Sequence, residues 1–95
     1  MKGPKTFNWN PEKNQLLIQE RGISFERIVF EISNGNQLAV VAHPNEEKYP
    51  AQSISMVLVN DYVHAVPFVE TEPETFFLKT IIPSRKAHRL FRRKT

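Results

Sequence analysis

The chain has no cysteine, only three glycines, and no apolar run near the roughly 18 residues a membrane span needs. Without cysteine there are no disulfides and no thiolate metal sites, and a reducing cytoplasm is the expected location. Met1 to Thr6 carry two lysines with no apolar stretch behind them, so no secretory leader is expected. There is no glycine-rich phosphate loop, no Gly-x-Ser-x-Gly elbow and no dinucleotide fingerprint, which removes the common nucleotide-binding and serine-hydrolase readings. The three histidines (His43, His64, His88) show no His-x-His or Glu-x-x-His spacing, so neither a metal nor any other cofactor is expected.

Acidic residues are missing from one region in particular. Residues 1–74 hold six Lys/Arg against ten Asp/Glu, a balance of −4, whereas residues 75–95 hold seven Lys/Arg and no acid, a balance of +7. Charge segregated in this way is the footprint of a polyanion or an acidic partner, and a solvated tail is the plainer alternative. With 95 residues, 40% of them hydrophobic and 24% charged, the chain reads as one globular domain spanning 1–95.

Lys5 to Trp9 alternates as a short strand. Asn10 caps and Pro11 opens a helix that runs to about Arg21, where Gly22 ends it; Leu16, Leu17 and Ile18 form its apolar stripe. Ser24 caps a second helix, with Phe25, Ile28, Val29 and Ile32 at i, i+3, i+4 and i+7, and Asn34-Gly35 stops it. Strands follow at Leu38–Ala42, Ser53–Val59, Tyr62–Val69 and Thr75–Ile82. Pro67 cannot donate to a ladder and marks an edge, a bulge or a cut. Pro83-Ser84 leads into a third helix, Arg85 to Arg93, with Ala87, Leu90 and Phe91 facing inward and Arg85, Arg89, Arg92 and Arg93 facing outward. The predicted fold is α+β, β-α-α-β-β-β-β-α, with a helical hairpin packed on a mostly antiparallel sheet and a basic C-terminal helix. A turn at Asn60-Asp61 sets Val59 opposite Tyr62, Val57 opposite His64 and Ser55 opposite Val66. The helices are then expected on the face of Met56, Leu58, Val63 and Ala65. The mixed face of Ser53, Ser55, Tyr62 and His64 would be left open for binding.

The segment Phe7-Asn8-Trp9-Asn10-Pro11-Glu12-Lys13-Asn14, followed by Arg21-Gly22-Ile23-Ser24-Phe25-Glu26, resembles the opening of the BrnT toxins. Those sequences carry an aromatic-x-Trp-Asp/Asn strand end, a Lys and an Asn on the first helix, and a His-Gly-Val-Ser-Phe-Glu junction. Lys79-Thr80-Ile81-Ile82-Pro83-Ser84-Arg85-Lys86 is similar to their final strand, which enters a basic helix. The resemblance implies a RelE-like fold and the toxin of a type II toxin–antitoxin pair. Its implied activity is an endoribonuclease that halts translation, and its implied partner is a cognate antitoxin in a hetero-oligomer. The family's Lys-His before the glycine is Glu20-Arg21 here, so no role of that histidine transfers to this chain. Residues 60–69, with Pro67, have no counterpart in it.

Metal-free RNA cleavage needs a base for the 2′-hydroxyl, cations around the pentacoordinate phosphorus, and an acid for the leaving oxygen. Arg85, at the strand–helix junction, can grip a phosphate with its planar fork. Lys79 is a lone charge in an apolar strand, which either serves the site or lays its stem over apolar surface with its head in water. His64 is the candidate proton carrier, against a cross-strand packing role. Lys86, Arg89, His88, Tyr62 and Arg92 are the candidate RNA contacts. Trp9, Phe7, Phe25 and Phe30 read as core. Beside the enzyme that cuts free or ribosome-bound mRNA stands a second reading: a non-catalytic basic module that binds nucleic acid or an acidic protein.

Overall fold

The computed structural model describes residues 5–92, and of Arg92 only the backbone. Their order is β1 (Thr6–Asn8), α1 (Pro11–Arg21), α2 (Phe25–Ser33), β2 (Gln37–Ala42), β3 (Gln52–Val59), β4 (Tyr62–Glu72), β5 (Thr75–Leu78), β6 (Ile82–Pro83) and α3 (Arg85–Arg92). The described residues form a compact α+β fold of three helices and one mixed sheet.

Local chemistry sets the helix ends. The Asn10 side chain accepts the Lys13 amide at 3.0 Å, and Ser24 Oγ accepts the Arg27 amide at 3.1 Å, each satisfying a donor the helix itself cannot. Gly22 takes φ +67°, which its missing Cβ permits, and bonds back to the Ile18 carbonyl. Buried Asn14 then ties the hairpin together. Its Oδ1 accepts the Phe25 amide and its Nδ2 donates to Glu26 Oε1, both at 2.8 Å. The Asn on the first helix and the Phe-Glu of the second, three of the residues carrying the resemblance, are therefore a structural clamp. Asn14→Ala is expected to strand the buried Phe25 N–H and cost about 1–3 kcal/mol, read as a lower urea midpoint at unchanged slope.

The sheet order is β1-β5-β4-β3-β2, with β6 pairing with β4 alongside β5. β1 runs parallel to β5 and every other pairing is antiparallel. Asn60 and Asp61 both have positive φ, the geometry of a tight hairpin turn, and the expected register follows from it: Val59–Tyr62, Val57–His64, Ser55–Val66. Arg27 fastens this turn to α2, bonding Asn60 at 3.1 Å and Glu31 at 2.7 Å. That guanidinium and the Asn36 amide hold the Glu31 carboxyl below its ordinary 4.5.

The face assignment is the reverse of the expectation. Leu17, Ile23, Phe25 and Ile28 of the helical hairpin share one core with Val57, Val59, Val66, Leu78 and Ile81. The hairpin therefore covers the face of Ser55, Tyr62 and His64. The valines between those polar residues decide it, because β-branched side chains in line make the better packing surface. The Ser55 hydroxyl, 2% exposed, is satisfied by Gln37 Nε2 at 2.7 Å.

Three further expectations are corrected. The last strand is not continuous over Thr75–Ile82, since β5 ends at Leu78 and β6 starts at Ile82. Pro67 accounts for the break, while β4 runs through it as an interior strand. The Pro67 carbonyl accepts the Lys79 amide at 2.8 Å, so its donorless nitrogen, on the same side, faces the gap at 79–81. In α3, Leu90 is 57% exposed; the inward residues are Ala87, His88 and Phe91. Phe30, expected in the core, is 59% exposed, whereas Phe25 is fully buried and Phe7 and Trp9 pack on the core.

Candidate functional site

β4 leaves the Asn60-Asp61 turn with its Val63 backbone pointing away from β3. A bare N–H and C=O there would be an open sheet edge, and α3 closes it. The Ser84 amide donates to the Val63 carbonyl at 3.0 Å, and the Val63 amide donates to His88 Nδ1 at 3.3 Å. The imidazole thus stands where a neighbouring strand would offer a carbonyl, and a neutral His88 carries its proton on Nε2. Ser84 also caps α3, its Oγ accepting the Ala87 amide at 3.1 Å and its carbonyl accepting the His88 amide at 2.8 Å. One serine therefore fixes both where the basic helix begins and how it meets the sheet.

This docking brings three of the candidate residues together. The Tyr62 ring stacks on His88 with centroids 4.2 Å apart and meets His64 edge-on at 5.9 Å. His64 Nδ1 lies 2.9 Å from the Tyr62 carbonyl. A carbonyl only accepts, so Nδ1 holds the hydrogen and Nε2 keeps the lone pair. Burial pushes the His64 pKa below the ordinary 6.5, an effect the Tyr62 bond partly offsets. At neutral pH the group is an uncharged acceptor, the form a general base requires. Tyr62 and His64 are half-buried rather than spread on an open face.

The charges sort into two places. Arg85, Lys86 and Arg89 are exposed on α3. Arg85 starts that helix two residues after Pro83, which pairs with His64. Arg85 and Lys86 occupy the first turn, where the helix dipole favours anions, and no acid is present there to balance them. Lys79 lies elsewhere. Its ammonium sits 5.4 Å from the centroid of Phe77, which pairs with Val69 and so faces away from the His64 side of the sheet. The Arg92 side chain, Arg93 and Lys94 lie outside the described residues.

Arg21 is a cation outside the candidate set. It reaches from the end of α1 to the Ile81 carbonyl, in the gap between β5 and β6. Its place just before a helix-ending glycine was the available signal, since a basic last turn is aimed at whatever the helix end packs against.

No family model, curated protein or solved structure matches the chain. Among the described residues, no group of three or more histidine and acidic side chains converges as a metal site would, and no helix is long and apolar enough to cross a membrane. An apolar pocket of about 160 Å³ opens elsewhere, between the end of α2 and the sheet, lined by Phe7, Ile32, Phe68 and Phe76 among others. It holds none of the candidate site residues.

Proposed function

We propose that this protein is a RelE-like toxin of a type II toxin–antitoxin pair, a metal-independent endoribonuclease that blocks translation until a cognate antitoxin covers it. The observation that supports the reading is the cluster of His64, Tyr62 and His88 at the sheet edge that Ser84 closes, beside a helix whose first turn is cationic. Two cations where a helix prefers acids disfavour the free protein, and an RNA phosphate bound there would relieve that cost.

In this scheme His64 Nε2 takes the proton of the 2′-hydroxyl, and the oxygen attacks the adjacent phosphorus. The Arg85 fork holds the phosphoryl oxygens as negative charge builds on them, and the P–O5′ bond breaks, the 5′-oxygen taking a proton from solvent water and leaving a 2′,3′-cyclic phosphate behind. Tyr62, gripped between two imidazoles, fixes the orientation of His64. Lys86 and Arg89 follow the backbone on either side. Lys79, on the other face of the sheet, has no part in this step. Its separation favours the second reading to one extent: a surface with fewer cations at the histidine can hold RNA without cutting it.

Expression without a partner separates the two. The chain is expected to arrest growth, and Arg85→Ala to relieve the arrest with unchanged circular dichroism. Binding of single-stranded RNA should lose about 0.7 of log–log salt slope when Arg85 is removed, the share of one phosphate contact. A harmless wild-type chain that binds RNA and leaves it intact would support the binding module instead.

A further inference from the structure

We propose that β2 is a pairing edge for a second copy of this chain, the two β2 strands joining antiparallel about a two-fold axis into one continuous sheet. β2 ends the sheet order, and it is twice as long as the other outer strand, with six residues against three in β1. The His43 amide bonds inward to Gln52 O at 3.0 Å, so by the alternation of the ladder Val41 also turns its N–H and C=O to β3. Val40 and Ala42 then turn theirs outward, in the direction a further strand would occupy. The side chains are equally unprotected: Val40 is 51% exposed on one face and Val41 42% exposed on the other.

Natural edge strands are normally blunted by lysine, proline or an inward charge. β2 contains none of these, and no Asp, Glu, Lys or Arg occurs from Asn34 to Asn45 in a chain that is 24% charged. That gap in charge selects the occupant. In an antiparallel two-fold pair a charge near the axis would face its own image, and β2 has no charge to repel. A strongly acidic or basic strand would find no counter-charge along it. Valine beside valine, in contrast, is a favourable cross-strand neighbour on a pleated surface. This inference does not rest on the ribonuclease reading.

The test is sedimentation of the purified chain from low micromolar to near-millimolar concentration, with amide exchange read at both ends. The expected mass rises from 11.1 kDa toward twice that value. The Val40 and Ala42 amides should slow in the dimer while Val41 is unchanged. Val40→Lys places like charges near each other across the axis and is expected to weaken the dimer at least roughly tenfold. Val40→Pro removes one outward donor without touching the ladder to β3, and should do the same. A chain that stays at 11.1 kDa throughout overturns the proposal. So does a dimer that survives both substitutions, or one whose protected amides lie outside β2. A chain that is monomeric alone yet accepts a strand from a different protein at β2 overturns the choice of a second copy. Should a substituted chain fail to fold, the exchange pattern of the wild-type protein decides.

Discussion

On the proposed ribonuclease reading, replacing His64 with alanine is expected to slow RNA cleavage by roughly 10²–10⁴-fold, the usual worth of a positioned general base. The pH profile of the unsubstituted protein distinguishes this role from a packing role. The base works as neutral imidazole, so the rate should rise with pH, pass its midpoint below 6.5 because burial disfavours the charged form, and level off by neutrality. His64→Ala should remove that acidic limb along with most of the rate. A His64 that only packs would lower stability and leave the limb in place. The same shift has a stability consequence, with a definite sign. Between the folded pKa and 6.5 the unfolded chain binds the proton more readily, so the stability tied to neutral His64 is whole above 6.5 and declines as pH falls through that window.

Phe25→Ala should be the most damaging single change to the fold, costing about 3–5 kcal/mol. Phe25 is fully buried at the junction of the two hairpin helices, stacked on Trp9 at a centroid distance of 5.7 Å, and its amide is held by Asn14. Against a total of about 5–15 kcal/mol for a small domain, that loss leaves little stability in reserve. Urea unfolding followed by tryptophan fluorescence measures it, with Trp9 as the reporter. A cost under about 1 kcal/mol would mean that Phe25 is not in the core and that the hairpin does not cover this face.

What was legible in the sequence is what depends on near neighbours. Asn10, Gly22 and Ser24 announce helix ends because each acts on amides within four residues of itself. Asn60-Asp61 fixed a register because a two-residue turn leaves the chain no other pairing. The covered face was not legible from Ser53, Ser55, Tyr62 and His64, because Val57, Val59 and Val66 lie on the same side and outweigh them. One buried serine with a glutamine partner costs far less than three exposed valines. Leu90 and Phe30 failed for a related reason: apolar spacing shows which residues could be buried, whereas the height and angle of the neighbouring element decide which are.

The candidate site was legible in its ingredients and not in its assembly. Tyr62, His64, His88 and Arg85 all stood out from the chain, yet nothing local predicts that His88 accepts the Val63 amide 25 residues away. Lys79 shows the opposite case. A lone charge in an apolar strand suggested a part in the site, and strand alternation puts its head on the opposite face of the sheet from His64. Pro67 accounts for the gap at 79–81, because the donor it lacks is what leaves β5 and β6 apart.

The most direct test of the account is a nuclear magnetic resonance titration of the protein with a short oligoribonucleotide whose 2′-oxygens are methylated, so that it binds without being cut. The account predicts shifts concentrated at Tyr62, His64, His88 and the Arg85 guanidinium, fading as salt is raised. Shifts confined to other surfaces, or none at these four residues at saturating RNA, would contradict it.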